Sequence, residues 1–120
     1  MTYDDMRRIV YYTADSFSVD SIKEAAVSIS EIQEGGDPRG LIVDLHEAKS
    51  IDLDYTEVMT LPEFFNDIAM ERRLIRTAIV IPEFSNGKEF FLLKSVYARN
   101  GIELEIFKDM NLATTWIQSW

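Results

Sequence analysis

Apolar residues in this chain alternate between two regimes. In short runs they occupy consecutive or alternate positions, and in longer stretches they recur every three or four residues. Arg8 to Thr13 (RIVYYT) is β-branched and aromatic, the composition of a strand. Ser18 or Asp20 then offers an N-cap to a helix reaching about Glu34. Ile22, Ala25, Ala26, Ile29 and Ile32 form its apolar stripe, with Asp20, Lys23, Glu24, Glu31 and Glu34 opposite. Gly35-Gly36 ends that helix, because glycine accepts the left-handed backbone at a helix C-terminus. Leu41 to Leu45 and Thr77 to Ile81 are apolar at consecutive positions, as in strands covered on both faces. Ile102 to Phe107 instead carries Glu103 and Glu105, which predicts an edge strand with one face partly wet.

The intervening segments read as helices. Thr60 and Glu63 have capping-box spacing, with Phe64, Phe65, Ile68 and Ala69 as the buried stripe and a short turn at Tyr55 to Met59 before them. Ser85 or Asn86 caps a helix through Phe90, Leu93, Val96 and Tyr97 that stops at Asn100-Gly101. Ala113, Trp116, Ile117 and Trp120 share one face of a last helix. The β-α-β-α-β-α-β-α order predicts a single α/β domain over residues 1–120. Its core is a single-layer, largely parallel sheet of about four or five strands flanked by helices.

Composition narrows the chemistry. The 120 residues contain no Cys and one His, which excludes disulfides, thiolate sites and a paired-histidine zinc site. A net charge of −9 without a basic stripe argues against nucleic acid or an anionic membrane as partner and favours a basic one. No apolar run approaches the ~18 residues of a membrane span and no secretory signal pattern opens the chain, so a cytoplasmic protein without membrane insertion is expected.

In order and spacing, LIVDL at Leu41 to Leu45, Ile51-Asp52, RTAIVIPE from Arg76 to Glu83 and IFKDMNLATTWI from Ile106 to Ile117 resemble the STAS domains. This is the family of SpoIIAA-like anti-sigma-factor antagonists, and the likeness is to its stand-alone STAS/Sec14-like members. The resemblance implies a non-enzymatic regulatory module, without a cofactor, that docks a protein partner or forms a homodimer. Its Sec14-like side implies an alternative, a pocket for a small apolar, lipid-like ligand. Signalling members carry Asp-Ser-Ser-Gly where this chain has Asp52-Leu53-Asp54-Tyr55. The phospho-site equivalent is then Asp54, and the serine switch is expected to be missing. The family also has a strand pair before its first helix, where this chain shows one clear strand.

Candidate chemistry is sparse. Ligands of open α/β sheets gather beyond the carboxyl ends of the strands, which here present Asp15, Asp44, His46, Glu83 and Lys108. A phosphoacceptor receiver is disfavoured, since Asp44 ends the second of four strands and no acidic pair follows the first. Asp44 reads better as an acceptor for backbone N–H groups in its own loop, and His46 as a loop residue. Phe64-Phe65 and Phe90-Phe91 are adjacent on helices, about 100° apart, so both members cannot sit at the centre of one buried stripe. One of each pair is expected at the rim of the core, on an interface or in a ligand pocket, with an oligomer interface ahead of the pocket. Arg72, Arg73 and Arg76 follow a helix whose C-terminal dipole they would complement, an anion site being the alternative.

Overall fold

A computed structural model describes residues 2–35, 38–47, 51–52, 55–67, 76–81, 88–99 and 101–119. The main sheet contains β1 (Thr2–Asp4), β2 (Ile9–Thr13), β4 (Gly40–Asp44), β6 (Arg76–Val80) and β7 (Glu103–Phe107), in the order β1-β2-β4-β6-β7. Only β1 is antiparallel; the other pairings are parallel. A second, two-stranded parallel sheet joins β3 (Phe17–Ser18) to β5 (Ile51–Asp52). The helices are α1 (Val19–Gly35), α2 (Tyr55–Val58), α3 (Leu61–Asp67), α4 (Lys88–Arg99) and α5 (Met110–Gln118).

From β2 onward each main strand is added on the same side of the one before, and right-handed crossovers in that order place every connecting helix on one face. The packing follows: Val10, Leu41, Val43, Ile79 and Leu104 meet Ile22 and Ala26 of α1, Val58 of α2, Leu61 of α3 and Leu93, Val96 and Tyr97 of α4. The opposite face, with Ile9, Ile42, Ala78 and Val80, is packed by Ala113 and Ile117 of α5. β4 and β6 therefore contribute residues to both cores, which accounts for their consecutive apolar runs.

Local chemistry sets the ends of the elements. Ser18 and Ser21 exchange hydrogen bonds at the start of α1, Ser18 N–H to Ser21 Oγ at 3.0 Å and Ser21 N–H to Ser18 Oγ at 3.3 Å. Two of the orphan donors at the helix start are thereby used. Gly101, at φ 76°, closes α4: its N–H donates to the Ala98 carbonyl and that of Ile102 to the Tyr97 carbonyl, both at 3.0 Å. Asp109 caps α5 through Asn111 N–H at 2.6 Å. Thr60 departs from the expected capping box, because its hydroxyl donates to the Glu57 carbonyl at 2.6 Å and closes the preceding turn.

Two strand expectations need correction. β1 and β2 form a hairpin, so a strand pair precedes α1 where the sequence shows one clear strand, and the chain itself covers the outer side of β2. Its turn is held by Asp4 Oδ1, which accepts from Met6 and Arg7 N–H at 3.1 and 3.2 Å, and by Arg8 at φ 61°. Ile51-Asp52 is a strand paired with Phe17-Ser18, an element outside the expected single sheet.

Candidate functional site

Among the described residues, two surface concavities are candidate sites. The first, of about 640 Å³, opens beyond the carboxyl end of β2 beside the first turns of α1. Among the described residues its lining includes Tyr12, Asp15, Ser16, Asp20, Glu24 and Glu47, four carboxylates and no cationic side chain. The Tyr12 hydroxyl donates to Glu24 Oε2 at 2.6 Å. Burial, then the Glu24 bond and the negative charges of Glu24 and Asp15, push the phenol up to about 12, so it remains a neutral donor at physiological pH.

The second concavity, of about 610 Å³, runs along β7, the last strand of the sheet. Lys94 and Ala98 of α4 form one wall and Trp116 of α5 part of the other, with Ile102, Leu104, Glu105 and Phe107 between. Strand alternation divides β7. Leu104 and Ile106 pack into the core shared with α4, while Phe107 packs with α5, and Glu103 and Glu105 share its parity. Lys94 Nζ nevertheless lies 2.7 Å from Glu105 Oε1. This ion pair joins a helix on one face to a side chain leaving from the other, so it passes around the outer edge of β7.

The α5 wall is rigidly built. Arg76 Nη1 donates to the Trp116 carbonyl at 2.7 Å and to Ser119 Oγ at 2.9 Å. Its Nε lies 2.9 Å from Glu103 Oε2, and its guanidinium is 5.0 Å from the centre of the Trp116 ring. Arg76 thus complements the C-terminus of α5 through Nη1 and pairs its charge with Glu103. Trp116 also meets Phe107, ring centres 5.6 Å apart.

The residues singled out by sequence are dispersed. Asp15 lines the acidic concavity; Asp44 and His46 do not. Asp44 Oδ1 accepts from His46 N–H at 2.9 Å, the loop-closing role expected of it, and the His46 side chain is exposed. Asp54, Arg72, Arg73 and Glu83 lie outside the described residues, and Phe65 and Phe90 are described only as helix backbone. Phe64 is half-buried against the larger core with Lys23 Nζ 5.4 Å from its ring centre. Phe91 is 73% exposed, the most exposed aromatic side chain described. Phe91, Lys94 and Ala98 stand at helical spacings of three and four, so they form one outward stripe leading to the β7 edge. Lys94, Glu105, Phe107 and Trp116 were missed by sequence reasoning, because nothing local shows that α4 and α5 flank opposite sides of one strand.

Among the described residues no three His, Cys, Asp or Glu side chains are grouped to hold a metal ion, and no helix is long and apolar enough to cross a membrane. The fold and surface define a mixed, mostly parallel five-stranded α/β protein flanked by helices. No protein-family model, curated protein or solved structure matches the chain.

Proposed function

We propose that this chain is a cytoplasmic, non-enzymatic regulatory module of the STAS type, which works by docking a protein partner through the outward face of α4. The observation that carries this reading is the Phe91 stripe. An aromatic ring on a helix, 73% exposed and one turn before Lys94 at the wall of the groove, is surface that water disfavours and that a partner would cover. The net charge of −9 and the acidic lining at the α1 terminus support a basic partner and oppose nucleic acid. The STAS assignment is supported by the sequence motifs, by the sheet with its antiparallel first strand, and by the helix placement. In this reading Asp54 leaves the module without a serine switch, and a homodimer through α4 is the other assembly open to it.

The test uses the native chain and a Phe91→Arg variant as baits in lysate of the source organism at physiological ionic strength, with lysine-directed crosslinking. The native bait is expected to retain one protein in near-stoichiometric yield, crosslinked through Lys94, and Phe91→Arg to lose it. Sedimentation of the native chain alone reads self-association. A native bait that retains nothing and sediments as a monomer would overturn the reading.

A further inference from the structure

The docking face proposed above ends at the outer side of β7, and that side has its own chemistry. Ile81 N–H donates to the Phe107 carbonyl at 2.9 Å, so the backbone groups of residue 107 point toward β6. By strand alternation those of Glu103 and Glu105 do the same, while the N–H and C=O groups of Leu104 and Ile106 point away from the sheet. Among the described residues no strand pairs with this side. Among the described residues the edge carries a groove of about 610 Å³ and the ion pair Lys94–Glu105, each side chain 43% exposed.

We infer that β7 takes up an extended segment of a partner protein as an added strand, and that this segment alternates cationic with aliphatic side chains. The inference rests on the interaction reading and names the partner's chemistry. Leu104 and Ile106 supply four outward backbone groups, the affinity element of strand addition. The two faces of the groove supply the pattern. On the α5 side an incoming strand meets Glu105 and Phe107, a carboxylate and an aromatic ring that suit Lys or Arg, and beyond them Glu103 and Trp116, which Arg76 already engages. On the α4 side it meets Ala98, Leu104 and Ile106, which suit Val or Ile. An incoming cation takes the place of Lys94 at Glu105, and Lys94, already half in water, swings outward.

Charge also disfavours two of the antiparallel pairings open to a second copy of this chain. Antiparallel self-pairing that joins Leu104 to Ile106 of the other copy sets Glu105 against Glu105, and pairing Leu104 with itself sets Glu103 against Glu105. Like charges directly opposite in a ladder are destabilising.

The experiment is backbone amide exchange of the full chain with an acetylated, amidated Lys-Val-Lys-Val-Lys-Val peptide. Controls are the Glu-Val analogue and a Lys-Val peptide N-methylated at alternate residues. The cationic peptide is expected to slow exchange at Leu104 and Ile106 about tenfold at saturation, with no protection by either control. A Glu105→Gln variant is expected to bind about threefold more weakly, the loss of one half-exposed charge contact. Unchanged exchange at millimolar peptide, or equal protection by the N-methylated peptide, overturns the inference. Protection that grows with protein concentration in the absence of peptide does so too, by making the edge a self-interface. Should the peptide fail while Phe91→Arg still abolishes partner capture, strand addition falls and the interaction module stands; the reverse result removes the α4 face and keeps the edge.

Discussion

The two faces of the main sheet are built to different depths. One is covered by α1, α2, α3 and α4, whose apolar residues merge into a single core with Val10, Leu41, Val43, Ile79 and Leu104. The other is covered by the nine residues of α5, which bury Ala113 and Ile117 against Ile9, Ile42, Ala78 and Val80. Four connecting helices on one side is what successive right-handed crossovers in one direction produce, and only the helix after the last strand is free to fold back across the other side. A deep core spreads its stabilisation over many side chains, whereas the shallow one depends on a few specific contacts. Loss of a contact in the deep face should weaken the whole molecule, and loss of one in the shallow face should release α5 first.

Trp116 belongs to α5 and packs against the shallow core, so tryptophan fluorescence reads that end of the chain while far-ultraviolet circular dichroism reports the fold. Leu93→Ala in α4 carries the largest expected effect, about 3–4 kcal/mol, because Leu93 is 0% exposed and its removal leaves a cavity among α4, the sheet and the other helices. In denaturant the two signals should shift together. A fluorescence transition that moved alone would mean the two faces are not coupled through β4 and β6 as their shared strands imply.

Arg76→Met keeps the aliphatic stem but removes the bonds to the Trp116 carbonyl and Ser119, the ion pair to Glu103 and the guanidinium over the indole. With Arg76 largely buried, about 2 kcal/mol is expected. The fluorescence midpoint should now precede the circular dichroism midpoint, and α5 amides should exchange faster than those of α4. Coincident midpoints would break the claim that α5 is an independently released element.

Gly40 tests the same face from the strand side. A Cβ on Gly40 would overlap Ile117 Cγ2, so β4 approaches α5 as closely as it does only because that position has no side chain. Gly40→Ala should cost about 1–2 kcal/mol by overpacking, again with fluorescence leading. Adding Ile117→Leu, which removes the branch methyl from Cβ, should recover part of the loss in a double-mutant cycle. Additive effects would place the strain elsewhere.

The contrast between faces also separates what was legible in the sequence from what was not. β4 and β6 were readable because burial on both faces forces consecutive apolar residues, and Glu103 and Glu105 correctly marked β7 as an edge. Gly101 marked the end of α4 because only the left-handed backbone closes that turn well. β1 escaped because three residues carry no period, and its turn is held by Asp4 and a left-handed Arg8 rather than by Gly or Asn. β3 and β5 are two residues each and exist only through their mutual pairing. At the site, the rule that adjacent helix residues diverge by about 100° foresaw that one of Phe90 and Phe91 could leave the core, and Phe91 does. The rest of the groove was hidden because it is tertiary. Arg76 serves a helix forty residues later, and the stripe of Phe91, Lys94 and Ala98 gains meaning only beside β7.

The smallest expected effect has the opposite sign and lies in the deep face. Thr77 is 0% exposed, and its hydroxyl oxygen has no hydrogen-bond partner among the described residues. In the register of the sheet it is flanked by Leu41 of β4 and Leu104 of β7, and all three side chains turn toward α1 and α4. An unpaired hydroxyl in such surroundings carries its desolvation cost without return. Thr77→Val replaces the hydroxyl by a methyl and keeps the β-branched shape suited to a strand, so it should stabilise by about 1 kcal/mol and raise Tm by about 4 °C. Thr77→Ser, which keeps the hydroxyl and deletes the methyl, should destabilise by a similar amount. Both shifts should appear equally in fluorescence and circular dichroism, since this position belongs to the core that all the connecting helices share. A destabilising Thr77→Val would instead show that the hydroxyl is bonded in solution, and that even the deep face relies at this point on a specific polar contact.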